Sequence, residues 1–441
     1  MSEPGRSATV VLVHERAVSG ALPPVALEQP WWPEAQDVVA AVREHFGIDV
    51  TVLRLVGAPT DRLSGGDVTY LAETDALPTV PLVSWPGDPL ADDPLRQEWA
   101  RPGGPGALLR WADEQLAARG IRCTGRSEQM RSWNLSGIWR LPTTAGPVWL
   151  KAVPDFFAHE GAVIDWIGPQ AAPRLHGRAW GRVLMAEVPG PPNHGTRGPA
   201  LRPMVELLTD VQERSLGRTD ELVALGVPDR RLAVMRPRIE AVVDERSSAL
   251  TDDGRRVLER LVEELPARLA EVESCGIPDT LVHGDFHPGN VGGFAGDHVV
   301  LDWGDSFVGN PLIDELAFTQ PLGPEDAEAA GGWVPRRVAA DRARRGPGAR
   351  RRPAAPGAAP VGRRHVRRVL RRDRTRRAGL PPHRRRLDAR AGRGRGSAGL
   401  RQARHGRPSR AWPPGRSGPY LARVRRRCPA SDPAASRDDA G

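Results

Sequence analysis

The chain has 441 residues, which is long enough for two or three domains and a full-sized core. It has no run of 18 apolar residues and no N-terminal signal pattern, so neither a membrane protein nor a secreted one is indicated and a cytoplasmic location is expected. Its 3 cysteines lie far apart without C-x-x-C spacing, which argues against a disulfide framework and against a zinc site.

The formal net charge of +9 is distributed unevenly. Residues 331–441 contain 33 Arg, no Lys and 6 acidic residues, a balance of +27, so the first 330 residues carry a balance of −18. The whole chain contains 1 lysine, Lys151. We therefore expect an acidic protein followed by a basic tail, and the lone lysine is a candidate functional residue.

Residues 1–95 carry the pattern of a small α/β domain. Runs of apolar and β-branched residues predict strands at 9–13, 49–56 and 67–72. An amphipathic stretch at 37–47 predicts a helix whose last residue is a glycine, a common helix stop.

The predicted helix resembles the end of the catalytic helix of Nudix hydrolases. Glu44, Gly47 and Ile48 match that motif, whereas His45 occupies the place of a magnesium-binding carboxylate. The resemblance therefore implies a domain without catalytic activity of its own. In the competing interpretation, a nucleotide hydrolase, Glu44 would be essential.

Residues 96–106 are rich in proline and glycine and predict a linker to a second domain at 107–330. That domain begins with an amphipathic helix predicted at 107–120. Two further apolar segments, at 132–141 and 146–153, predict a β-hairpin of two strands, with a Ser-Gly turn before the second half of the first strand.

Lys151 lies in the second of these strands, among alternating apolar residues, so its charge must face a cleft or the interior. A compact ammonium in such a place can bind the phosphates of a nucleotide. It needs a carboxylate from the next helix, predicted at 156–168. Glu160 is the best candidate for this partner, and Asp165 is the alternative.

A turn-rich polar segment at 281–291 and a short apolar strand at 299–301 carry the residues with the most specific spacing. Asp285, Asn290 and Asp302 follow strand ends, where side chains can converge on a ligand. Phosphoryl transfer needs a carboxylate to deprotonate the attacking hydroxyl and oxygen ligands to hold magnesium. The spacing is that of a kinase catalytic loop followed by a magnesium-binding aspartate.

The two motifs, H-G-D-F-H-P-G-N at 283–290 and L-D-W-G-D-S at 301–306, resemble those of the aminoglycoside phosphotransferase and choline kinase family. Protein kinases differ in carrying arginine in place of Gly284. The resemblance implies an α+β, protein-kinase-like fold with two lobes, in which the N-lobe is an antiparallel sheet and the C-lobe is helical.

The family resemblance also implies functional roles. Asp285 is expected to be the catalytic base, and Asn290 and Asp302 are expected to bind Mg2+ beside an ATP or GTP donor. His283 is expected to shape the loop without transferring a proton.

The resemblance further implies the nucleotide-binding residues. The turn at Ser136 and Gly137 would offer backbone N–H groups to phosphate oxygens. A strand at 180–190 would lead into the hinge, where the backbone from Ala186 to Val188 pairs with the edge of the base. Met185 either lines the base pocket or is a plain core residue.

Helical spacing at 201–275 predicts the C-lobe scaffold. Another helix is predicted after the catalytic segment, with Asn310 as its N-cap and Pro311 at its first position. Asp314 falls in the first turn, where a carboxylate suits the helix dipole, and is interpreted as structural.

Residues 331–441 form a low-complexity, Arg-rich tail that has too few large apolar residues to fold by itself. Arginine runs bind phosphate backbones, so one interpretation is a nucleic-acid-binding arm. We favour another, an out-of-frame reading of a GC-rich gene, because the change begins where the family resemblance predicts further C-lobe helices.

The sequence thus predicts a phosphotransferase that moves the γ-phosphate of a nucleoside triphosphate to a hydroxyl of a small molecule such as an aminoglycoside or an amino alcohol. Two alternatives remain open. One is a kinase-like protein that binds nucleotide without catalysis because its C-lobe is incomplete, and the other is a nucleic-acid binder that acts through its basic tail.

Overall fold

The N-terminal sheet places two parallel strands at its centre. In a computed structural model that describes residues 5–190 and 193–330, the strand order is β2-β1-β5-β4, and β3 also pairs with β1. Strands β1 and β5 are parallel, whereas the other pairs are antiparallel. The elements are β1 Arg6–His14, β2 Ala17–Ala21, β3 Val25–Leu27, α1 Gln36–Phe46, β4 Thr51–Gly57 and β5 Gly66–Glu73.

Both faces of this sheet are covered. Helix α1 packs on one face through Val38 and Val42, and the Pro/Gly-rich segment that follows β5 covers the other through Trp85 and Leu90. The predicted strands at 9–13, 49–56 and 67–72 and the predicted helix are confirmed. The helix stops at Gly47, which adopts φ 67°, as predicted.

Helix α2, Gly104–Ala117, begins three residues before the predicted start and ends three residues before Gly120. The start was mispredicted because Pro105 was assigned to the linker, although proline suits the first turn of a helix. Gly104 lies so close to Glu98 that a Cβ would come 1.8 Å from the carbonyl oxygen of Glu98.

The second sheet is antiparallel throughout, with the order β6-β7-β8-β10-β9. Helix α2 packs on one face of this sheet and α3 packs near β9 and β10 on the other. The elements are β6 Glu128–Ser132, β7 Gly137–Leu141, β8 Val148–Ala152, α3 Glu160–Ile167, β9 Leu175–Ala179 and β10 Arg182–Ala186.

The predicted hairpin at 132–153 is confirmed as β7 and β8, although its first strand starts only at Gly137, after the predicted Ser-Gly turn. A further strand, β6, precedes that turn and was not predicted. The Trp133 N–H donates to the Ser136 carbonyl over 3.1 Å, and the Trp133 indole donates to the Ser136 hydroxyl over 2.8 Å. These two bonds close the turn between β6 and β7.

The remaining residues form a mainly helical lobe with two small antiparallel ribbons, β11–β14 and β12–β13. The helical prediction for 201–275 and the α+β class are confirmed. No helix among the described residues is long and apolar enough to cross a bilayer. The elements are α4 Arg202–Ser215, α5 Thr219–Ala224, α6 Leu232–Arg246, α7 Asp252–Ser274, β11 Thr280–Val282, β12 Val291–Gly292, β13 Val299–Val300, β14 Phe307–Gly309, α8 Leu312–Thr319 and α9 Pro324–Ala329.

The predicted tail at 331–441 lies outside the described residues. The interpretations offered for it therefore stay predictions.

Two glycines at the start of α2 provide a test of this packing. Gly104→Ala is expected to lower the free energy of unfolding by about 2 kcal/mol or more, because its Cβ would meet backbone that cannot move aside. Gly106→Ala is the matched control, since its Cβ would meet only the flexible end of Arg110, and it is expected to gain up to about 1 kcal/mol. Urea unfolding followed by tryptophan fluorescence measures both, and equal effects would contradict the packing described.

Candidate active site

Lys151 connects three separate elements. It lies on β8, and its Nζ donates to Glu160 Oε1 on α3 and to Asp302 Oδ1 after β13, both over 2.7 Å. The side chain of Glu160 is 1% exposed, whereas that of Asp302 is 57% exposed. The lysine is thus anchored on a buried carboxylate and reaches an open one. The alternative partner, Asp165, pairs instead with Arg178.

The charges in this cluster depend on one another. Burial lowers the pKa of Lys151, but the charges of Asp302 and Glu160 outweigh burial and raise that pKa above its usual value. The charge of Lys151 in turn holds the pKa of Asp302 below its usual range. Lys151 is therefore an ammonium and Asp302 a carboxylate at neutral pH.

His283 is fully buried and hydrogen-bonded on both sides of its ring. Nε2 lies 2.8 Å from the carbonyl of Leu301, and Nδ1 accepts from the N–H of Asp285 over 3.3 Å. Burial lowers the pKa of His283 to about 4. The neutral Nε2–H tautomer satisfies both bonds, so the ring fixes the backbone on either side of the site.

Gly284 has φ 86°, and a Cβ at this position would lie 2.4 Å from the carbonyl oxygen of Asp305. Both the left-handed backbone and the close approach exclude a side chain. The arginine that protein kinases carry at this place in the motif does not fit here.

The buried carboxylate of Asp314 bonds the backbone of the loop at His283 and Gly284, a role that the sequence did not reveal. Its Oδ2 accepts from the N–H of His283 and from Gln212 Nε2, and its Oδ1 accepts from the N–H of Gly284, each over 2.9 Å. Burial raises the pKa of Asp314 to about 7. Helical spacing could have found it, because Asp314 shares the buried face of α8 with Phe318.

The predicted base and the two predicted metal ligands lie in neighbouring loops. Asn290 Nδ2 donates to the carbonyl of Asp285 over 2.9 Å. The β12–β13 ribbon sets Asn290 opposite Leu301, whose N–H donates to the Asn290 carbonyl over 2.8 Å. Asp302 comes next and adopts φ 60°, a conformation that few residues other than glycine adopt.

These donors suit a hard cation. Because Asn290 turns its amide nitrogen to Asp285, its Oδ1 is the atom that can coordinate a metal, and the exposed carboxylate of Asp302 already binds one cation, Lys151. Mg2+ prefers oxygen ligands and usually takes one or two from the protein and others from phosphates and water. Among the described residues, no group of three or more His, Cys, Asp or Glu is placed to hold a metal.

Residues 145–356 match the sequence model of the phosphotransferase enzyme family. The family resemblance inferred from the 283–290 and 301–306 motifs is thereby confirmed, and so is the kinase-like fold class. Comparison with curated protein sequences finds no match.

Several solved phosphotransferase structures are similar to this chain. The macrolide 2'-phosphotransferase from Brachybacterium faecium is 18% identical, covers 50% of this chain and 80% of its own, and has a TM-score of 0.38. A type I macrolide 2'-phosphotransferase is 20% identical over 52% of this chain and 84% of its own, with a TM-score of 0.35. An aminoglycoside-3'-phosphotransferase of type VIII is 21% identical over 51% and 88%, with a TM-score of 0.33.

The two residues predicted to roof the nucleotide, Ser136 and Gly137, are buried. The hydroxyl of Ser136 is used by Trp133, and a Cβ on Gly137 would lie 2.8 Å from the rings of Trp99 and Trp139. Their side-chain surfaces therefore belong to the packing of the sheet. Any contact of these two residues with a ligand must come from the backbone.

Two backbone N–H groups of the predicted hinge are already hydrogen-bonded within the protein. The N–H of Ala186 donates to the carbonyl of Arg174 over 2.9 Å, and the N–H of Glu187 donates to that of Pro147 over 3.0 Å. Val188 is the hinge residue whose N–H has no such partner among the described residues. Met185 is half-buried and packs against the C-lobe core.

His283 generates a pH-dependence prediction. Because its folded pKa of about 4 lies below the ordinary 6.5, the unfolded chain binds a proton first as the pH falls. The stability of the wild-type chain should therefore fall by about 3 kcal/mol more than that of His283→Asn between pH 6.5 and pH 4. Urea unfolding of both chains across this range measures the difference. Parallel curves would contradict a neutral buried His283.

Proposed function

We propose that this chain transfers the γ-phosphate of ATP or GTP to a hydroxyl group of a small-molecule acceptor. The observation that carries the proposal is the contact of Lys151 with both Glu160 and Asp302, next to the loop that bears Asp285 and Asn290. A paired lysine, a carboxylate base and two oxygen ligands are the parts that kinase-type phosphoryl transfer requires.

Lys151 would bind the donor phosphates. Its ammonium is held from the buried side by Glu160, so a phosphate oxygen can approach from the open side, where Asp302 now lies. Asn290 Oδ1 and the Asp302 carboxylate would hold Mg2+, which when bound neutralises charge on the phosphates. The fixed position of Lys151 means that little reorganisation is needed when the nucleotide binds.

Asp285 would accept the proton of the acceptor hydroxyl. Its side chain is 58% exposed, so an acceptor can reach it. The His283 ring accepts the N–H of Asp285, and Asn290 donates to its carbonyl, so the backbone of Asp285 is fixed on both sides. A base held in this way needs only a hydroxyl at hydrogen-bonding distance to act.

The base and ribose of the donor would lie between the lobes. Val188 would pair with the edge of the base, Met185 would line its pocket, and the turn at Ser136 and Gly137 would cover the phosphates through its backbone. The Ala186 N–H is committed within the sheet, so only the carbonyls of this part of the hinge can add to the pairing.

The acceptor class is proposed from charge. The balance of −18 over the first 330 residues attracts cations to the protein. An aminoglycoside or an amino alcohol is a cationic molecule with free hydroxyl groups and would be steered to this surface. Because the donor is an intracellular nucleotide, the proposal also places the protein in the cytoplasm.

The first test is phosphate transfer from magnesium-ATP and magnesium-GTP to a panel of aminoglycosides, amino alcohols and sugars. Asp285→Asn is expected to lower kcat at least about a hundredfold, because general-base catalysis contributes that much or more. Asp253→Asn, an exposed change on α7, is the matched control and should leave kcat unchanged. Nucleotide binding without transfer to any acceptor by the wild-type chain would instead favour a non-catalytic nucleotide-binding protein.

A second test asks whether Glu160 holds Lys151. Glu160→Gln removes the buried charge and is expected to lower kcat/KM for the donor nucleotide by about tenfold or more. Asp165→Asn changes a carboxylate five residues along the same helix that pairs with Arg178 on the surface, so it should have no effect. Equal losses in both variants would contradict the assigned pair.

A further inference from the structure

The N-terminal domain is bonded directly to β6, the edge strand of the N-lobe sheet. The amide of Gln129 makes two hydrogen bonds to the backbone of Val52, accepting its N–H over 2.8 Å and donating to its carbonyl over 2.7 Å. The hydroxyl of Ser132 donates to the carbonyl of Leu53 over 2.8 Å. These contacts join β4 of the first sheet to β6 of the second.

A short segment of the N-terminal domain also lies along β6 as an added strand. The N–H of Ala35 donates to the carbonyl of Met130, and the N–H of Ser132 donates to the carbonyl of Pro33, both over 3.0 Å. This pairing satisfies backbone groups that a free edge strand would expose. It ends at Ser132, immediately before the turn that is proposed to cover the phosphates.

Arg131, the residue between these contacts, lies on the cleft side of the N-lobe sheet. The strand registers place Arg131 opposite Ile138 on β7, and Ile138 opposite Lys151 on β8. Residues that are directly opposite in an antiparallel sheet point to the same face. Arg131 therefore shares the face of Lys151, two strands or roughly 10 Å away.

Glu34 of the N-terminal domain holds the guanidinium of Arg131. Its Oε1 accepts from Nε over 2.8 Å and from Nη2 over 2.7 Å. Among the described residues, nothing accepts from Nη1, and the side chain is 50% exposed.

We propose that Arg131 binds the donor phosphates through its free Nη1 edge, and that the N-terminal domain positions it there through Glu34. The inference rests on the proposed function, since it names a further contact to the same nucleotide. A planar guanidinium with one edge held by a carboxylate presents its other edge in a fixed direction, which suits a phosphate oxygen. The N-terminal domain then acts as a part of the nucleotide site and needs no catalysis of its own.

The experiment measures dissociation constants of magnesium-ATP, magnesium-GTP and adenosine for the full chain by titration calorimetry. For whichever triphosphate the wild-type chain binds, Arg131→Gln is expected to raise the dissociation constant about tenfold. The dissociation constant of adenosine should not change, because the lost contact is made to phosphate. Arg131→Lys should recover part of the loss. Glu34→Ala, which retains the arginine but frees it, should weaken triphosphate binding roughly threefold to fivefold.

Arg126 and Asp49 offer a matched control. They form another ion pair between the N-terminal domain and the chain just before β6, and Arg126 is about as exposed as Arg131. Unlike Arg131, Arg126 lies before β6 and is therefore not on the strand whose residues face the cleft. Arg126→Gln and Asp49→Asn should leave triphosphate binding unchanged. Equal losses in the control pair, an equal loss of adenosine binding, or no loss in Arg131→Gln would overturn the inference.

The outcomes separate this inference from the function on which it rests. If the wild-type chain binds neither triphosphate, the proposed function fails and the inference fails with it. If the wild-type chain binds a triphosphate and Arg131→Gln binds it equally well, the inference fails and the proposed function stands.

Discussion

The site depends on the largely buried ammonium of Lys151, which two carboxylates stabilise. Burial disfavours the charged form of Lys151. The carboxylates of Glu160 and Asp302 outweigh that effect and stabilise the ammonium. The two partners come from α3 and from the loop after β13, so the ion pairs also fix how the N-lobe sheet faces the catalytic loop. The interaction that is proposed to bind the donor nucleotide is thus also one that sets the geometry of the fold.

The catalytic loop is supported by a second set of buried polar groups. Asp314 accepts the backbone N–H groups of His283 and Gly284, and His283 in turn bonds the backbone at Leu301 and Asp285. Each bond connects the loop to an element that does not touch substrate in the proposed mechanism. Such networks restrict the backbone to one conformation, which explains how the exposed side chain of Asp285, the proposed base, is carried on a fixed loop.

The sequence predicted that Asp285, Asn290 and Asp302 come together, because phosphoryl transfer demands those residue types at that spacing, and the structure places them in neighbouring loops. The roles assigned to these three residues stay predictions. Strand β6, Glu128–Ser132, was missed because its mostly polar residues show no apolar alternation, and its hydrogen bonds with Val52 and Leu53 depend on residues that are distant in sequence. Asp314 was given a local role for the same reason, since its partners on α4 and in the catalytic loop are distant in sequence.

The rarity of lysine has a chemical consequence. Lys151 is the one lysine in the chain, so apart from the terminal amine it is the one primary amine available to acylating reagents. An ammonium paired with two carboxylates is a poor nucleophile, and it must leave its partners and lose a proton before it can react. The rate at which such a reagent labels the protein therefore reports how often Lys151 separates from Glu160 and Asp302.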